Sequence, residues 1–121
     1  MTIPHFDRCA PLLQRAIDRS GKKETVEGVR ARIASGQAQF WPGEKSVIVS
    51  EIVTDDNGRG LGVWLASGDL GEIFAMFHGI NAFARVWGCS FMFVHGERRG
   101  WARVVRQFGM RPVGDVLRME I

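Results

Sequence analysis

Several residues in this chain of 121 amino acids have types and spacings suited to chemistry. The stretch TDDNGRGLGVWLASGDLGEI, residues 54 to 73, holds five glycines and offers two places for an anion, Asn57-Gly58-Arg59-Gly60-Leu61-Gly62 and Ser67-Gly68-Asp69. Bare backbone amides in a glycine loop or at a helix start bind phosphate. Glu51 and Asp55 are carboxylates of the kind that take a proton from an amine, directly or through water. His95 ends an apolar run beside Gly96, where open α/β sheets expose functional groups, and suits proton transfer or ligand contact. His78, set in an apolar helical stripe, reads as a packed core histidine. The last cluster is Arg98, Arg99, Arg103 and Arg106. On a helix, residues 99, 103 and 106 share a face, which concentrates positive charge for cofactor phosphates, nucleic acid or an acidic protein surface, or simply makes a solvated basic face.

The composition is that of an ordinary globular chain, 45% hydrophobic and 24% charged, and its length is that of one domain spanning residues 1–121. The net charge of +3 is unevenly spread, with six arginines against Asp115 and Glu120 from Arg98 onward. Cys9 and Cys89 stand far apart with no partner pattern, so they read as buried free thiols rather than a disulfide or a metal site. No apolar run is long enough to suggest a membrane span, and MTIPHFDRCAPLL lacks the features of a signal peptide, which points to the cytoplasm. There is no tyrosine, while Trp41, Trp64, Trp87 and Trp101 are spread along the chain.

The elements that must position these groups follow from periodicity. Leu12, Leu13, Ala16 and Ile17 form a helical stripe behind Asp7 as N-cap, ending near Ser20-Gly21. Thr25 caps a second helix with Val26, Val29 and Ile33 on one face and Gly36 as its stop. QAQFW, SVIVSEIVT and LGVWLA, separated by Pro42-Gly43 and Asp56-Asn57-Gly58, then predict an antiparallel meander of three strands. DLGEIFAMFHGINAFARVWG returns to helical spacing, SFMFVH reads as a strand buried on both faces, RGWARVVRQFG as a helix with Trp101 packed inward, and VGDVLRMEI as one last strand. The strand, helix, strand unit over residues 61 to 95 predicts a parallel crossover, hence an α+β fold with a mixed sheet flanked by helices.

This order decides between the two loops. A helix starting at Leu61 would carry Gly62, Gly68 and Gly71 inside it, each costing about 1 kcal/mol relative to alanine. The alternative, a hairpin at Asn57-Gly58 followed by a strand and a helix from Asp69, is favoured, and it turns Gly58, Gly60 and Gly62 into turn and bulge positions. At the strand-to-helix junction Asp69 and Glu72 stand at capping-box spacing, so the protein's own carboxylates would take the donors that a phosphate needs.

The order of elements, and ASGQAQFWPG, VWLASGDLGEI and ERRGWARVVRQFGMRPV in particular, resembles the GCN5-related N-acetyltransferase (GNAT) fold and, more narrowly, small GNAT-like proteins encoded by tailed bacteriophages. The resemblance implies a mostly antiparallel sheet with a splayed strand pair. It also implies a possible acetyl-CoA site, with the pyrophosphate on the following helix and Ala66, Ser67, Gly68 and Gly71 as the cofactor-binding residues. Glu51 and His95 are the catalytic candidates. Two departures stand against catalysis: the family's Gln or Arg-x-x-Gly-x-Gly or Ala motif is missing from the junction, and Val105 occupies the position where many members place a tyrosine acid. The expected function is therefore a degenerate acetyltransferase acting by binding a virion or host protein. The alternatives are an active acetyl-CoA-dependent N-acetyltransferase and a nucleic-acid-binding protein using the basic C-terminal face.

Overall fold

A computed structural model of the chain describes residues 2–20, 23–95 and 101–121. The chain begins with two helices, α1 (Phe6–Ser20) and α2 (Val26–Ala34). A meander of β1 (Gln39–Pro42), β2 (Ser46–Asp55) and β3 (Gly58–Gly68) follows, then α3 (Leu70–Val86), β4 (Phe91–His95), α4 (Trp101–Phe108), β5 (Arg111–Val113) and β6 (Val116–Glu120). The six strands form one mixed sheet in the order β1-β2-β3-β4-β6-β5, antiparallel except for the β3–β4 pair.

Local chemistry accounts for the element ends. Thr25 caps α2 by accepting from Gly28 N–H at 2.9 Å, and Gly36 ends it at φ +84°. Asp55 accepts from Asn57 N–H at 2.7 Å in the β2–β3 turn, which Gly58 leaves at φ +115°. Asp69 caps α3 by accepting from Glu72 N–H at 2.8 Å.

Each face of the sheet has its own core. α3 and α4 cover Ile48, Leu61, Val63, Met92 and Val94 with Ile73, Phe77, Ile80 and Val105. α1 and α2 cover Val47, Val49 and Leu65 with Phe6, Leu13, Ile17 and Val29. Leu61 and Val63 thus face α3, but Leu65, which plain alternation would put beside them, faces α1. The cause is a register shift: Val49 opposes Leu65 while Ser50 opposes Val63, so Trp64 is an extra residue on β3 and the side chains beyond it change sides.

Five sequence expectations need correction. Asp7 is not the cap of α1, which starts one residue earlier; it lies in the first turn and pairs with Arg30 at 3.6 Å. The last strand is a hairpin of two, β5 and β6, because Gly114 turns the chain at φ +62°. His78 is exposed rather than packed in the core, with its ring 5.1 Å from that of Phe108. Gly60 and Gly62 are not bulge positions, since the bulge falls on Trp64. The capping box is half formed, as described below.

Candidate functional site

β3 and β4 run side by side only from Gly60 opposite Phe91 to Val63 opposite Val94. β4 ends at His95, while β3 continues to Gly68 along β2 alone. Past Val63 the pair opens, and α3 starts from the far end of the longer strand.

Of the residues expected to hold an anion, Ala66, Ser67 and Gly68 end that extension and Gly71 lies in the first turn of α3. Ser67 is buried and opposes Val47, on the side of α1. The Ala66 carbonyl accepts from Arg19 Nη2 at 3.3 Å. Gly68, at φ +118°, lets the backbone of the β1–β2 turn come close: an added Cβ would collide with the Lys45 carbonyl oxygen and lie 2.5 Å from Ser46 Cα. Gly71 is exposed, with Asp69 Oδ2 as its nearest neighbour, 3.4 Å from where a Cβ would stand.

The β1–β2 turn is fastened onto this junction. Gly43 N–H donates to the Ser46 carbonyl at 2.8 Å, and Arg8 of α1 donates to the Gly43 carbonyl at 2.8 Å. Asp69 N–H is spent on the Lys45 carbonyl at 3.2 Å. The Glu72 carboxylate does not return to Asp69 N–H as a capping box requires. It turns to the β1–β2 loop, accepting from Lys45 N–H at 3.0 Å and from the buried Ser46 hydroxyl. These bonds, the Ser46 one foremost and the Lys45 amide next, hold its pKa below the usual carboxylate range, so Glu72 is charged at neutral pH.

Two of the amides that would greet a pyrophosphate at this junction, those of Asp69 and Glu72, therefore already serve Lys45 and Asp69, and the carboxylates of Asp69 and Glu72 stand at the same helix end.

Glu51 and His95 are brought together. Both line a pocket of about 250 Å³ on the α1/α2 side of the sheet, with Glu24, Arg32, Trp64 and Phe93 around them and Gly62 and Val63 from β3. The bulge places Trp64 there. Arg32 lies over the Trp64 ring, 4.6 Å from its centroid, and pairs with Glu51 at 3.6 Å. The Glu51 carboxylate is thus held by the protein's own guanidinium. The sequence reading missed Arg32, Trp64 and Phe93; for Trp64 and Phe93 the apolar runs around them looked like plain core strands.

Arg103 and Arg106 are exposed on α4, on the side away from this pocket, whereas Arg98 and Arg99 lie outside the described residues, as does the Trp101 side chain. Asp55 is exposed and serves the β2–β3 turn. Cys9 and Cys89 are buried free thiols whose pKa burial pushes up. No described helix is long and apolar enough to cross a membrane.

The arrangement has a counterpart among solved structures. The whole chain superposes on 92% of a GNAT-family acetyltransferase from Listeria monocytogenes 4b F2365, with a TM-score of 0.66 at 8% sequence identity. At that identity the likeness is one of fold, and the fold is GNAT-like: one α+β domain with a mixed six-stranded sheet flanked by helices. No family model matches the sequence, and no curated protein does.

Proposed function

We propose that this chain is a GNAT-fold protein that works by binding rather than by acetyl transfer. The observation that carries this reading is the β1–β2 turn seated on the β3–α3 junction. Its Lys45 carbonyl takes the Asp69 amide, and its Lys45 amide and Ser46 hydroxyl draw Glu72 into the place beside the helix start. The departures from the family pattern at Val105 and at the junction motif point the same way. The partner suggested by the resemblance to phage-encoded chains, a virion or host protein, belongs to this proposal.

A second reading, an active N-acetyltransferase, is favoured by one observation: Glu51 and His95 line one pocket beside the point where β3 and β4 part. Positioning alone can contribute several kcal/mol to such a reaction, so a missing acid does not forbid it. Nucleic-acid binding through Arg103 and Arg106 would instead show affinity that falls steeply with salt.

Calorimetric titration of the chain with acetyl-CoA, and with CoA and a phosphate-only control, separates the first two. The binding reading expects no saturable heat at millimolar ligand. Saturable binding that requires the pantetheine arm would overturn it in favour of the acyltransferase.

A further inference from the structure

The α1/α2 side of this molecule repeats one motif. Arg30 lies over Phe6 at 5.2 Å and pairs with Asp7, Arg32 lies over Trp64 at 4.6 Å and pairs with Glu51, and Arg118 lies over Phe91 at 3.8 Å and pairs with Glu120. Each guanidinium has an aromatic ring on one side and a carboxylate at its edge, the arrangement that suits a planar, weakly hydrated, forked cation.

The next ring along the same strand has no such guanidinium among the described residues. Phe91 is seated on Gly60, whose bare Cα leaves room for the ring, and Arg118 covers it. Two residues along β4, Phe93 is seated on Gly62 in the same way: a Cβ there would stand 2.6 Å from Phe93 Cζ. Phe93 is half-buried, and no guanidinium among the described residues lies over it. It opens instead into the 250 Å³ pocket, whose described lining includes two acidic residues, Glu24 and Glu51, against one guanidinium, that of Arg32. Glu24 Oε1 also accepts from Thr25 N–H at 3.1 Å, and Glu51 Oε2 lies 3.6 Å from Arg32.

We propose that this pocket receives the guanidinium of an arginine presented by a protein partner, seated on Phe93 and taken at its edge by Glu24 and Glu51. The assignment deepens the binding reading above and rests on it. Among the described lining residues the carboxylates outnumber the guanidinium, which favours a cation over a nucleotide, whose phosphate they would repel. Ring and carboxylates together favour arginine over lysine, a compact and strongly hydrated point charge.

The test is a titration of the isotope-labelled full chain with the blocked amide of arginine, beside those of lysine and of citrulline, the uncharged arginine isostere, and AMP. Backbone amide shifts are the readout. Saturable shifts at Gly62, Phe93 and His95 are expected with arginine, with lysine about threefold to tenfold weaker and citrulline without saturation. Phe93→Leu and, separately, Glu24→Gln should each weaken arginine by about fivefold while leaving shifts outside the pocket unchanged. The Glu24 variant, off the sheet, serves if Phe93→Leu does not fold. Equal binding of citrulline, tighter binding of AMP, or no shifts at these three residues would overturn the assignment. Acetyl-CoA binding with the arginine response intact would overturn the binding reading alone.

Discussion

Glu72 shows at the scale of one residue how the start of α3 is tied to a distant turn. Its spacing from Asp69 is that of a capping box, and the sequence makes half of that motif legible: Asp69 does cap Glu72 N–H at 2.8 Å. The other half was not legible, because the partners that win Glu72 are Lys45 and Ser46, far upstream in a turn whose position depends on the whole sheet. The contact has a pH signature. Glu72's pKa is lower folded than in the ordinary carboxylate, so its contribution to stability is fully present above the unfolded pKa and is lost as pH falls through the folded value. Glu72→Gln should therefore lower the melting temperature at pH 7, and the gap to the unaltered protein should close as pH falls below the usual carboxylate range, read by thermal melts across that window. A gap that stays constant with pH would mean that the charge of Glu72 plays no part.

β3 is the element on which the site turns. Its start, the hairpin before it and the helix after it were all legible, because Asn57-Gly58 is a turn signal and a glycine-studded helix from Leu61 is costly. The bulge at Trp64 was not, because the strand is apolar toward both cores and has no alternation whose break could be seen. Gly60 and Gly62 were misread for a related reason. What they make room for, Phe91 and Phe93, comes from a strand some thirty residues later. β5 escaped notice because Arg111-Pro112-Val113 is short, wholly exposed and includes a proline, the composition of an edge strand that buries nothing. The bulge predicts how three variants compare. Trp64→Ala removes a half-buried ring that stacks on Arg32, and deleting residue 64 removes the same ring while leaving Val63 opposite Ser50 and Leu65 opposite Val49 in plain alternation, with Leu65 still in the α1 core. The deletion should therefore lower the urea midpoint by about as much as Trp64→Ala, whereas Leu65→Ala empties a buried leucine site and should cost about 2–5 kcal/mol. A deletion far more damaging than Trp64→Ala would mean that residue 64 is not the extra residue of the strand.

For the molecule as a whole, one sheet separates two cores. α3 packs over one face, and on the α1/α2 side Phe93 lines an opening. Element order alone carried the GNAT-like fold, whereas the sharing of one pocket by Glu51 and His95 comes from the register of β2 on β3 and of β3 on β4. What it could not carry is which part of the scaffold is still free to hold a ligand, because that depends on contacts such as Arg8 with Gly43 and Arg19 with Ala66, made between elements distant in sequence. Those contacts fix the β1–β2 turn and the end of β3 beside the start of α3. The most direct measurement is therefore to follow the backbone amides of Leu70 and Gly71, at the start of α3, as acetyl-CoA is added to the labelled chain. The occupied junction predicts that neither moves at millimolar acetyl-CoA. Saturable shifts at these two amides, abolished by removing the pyrophosphate from the ligand, would contradict it and restore the helix start as a cofactor site.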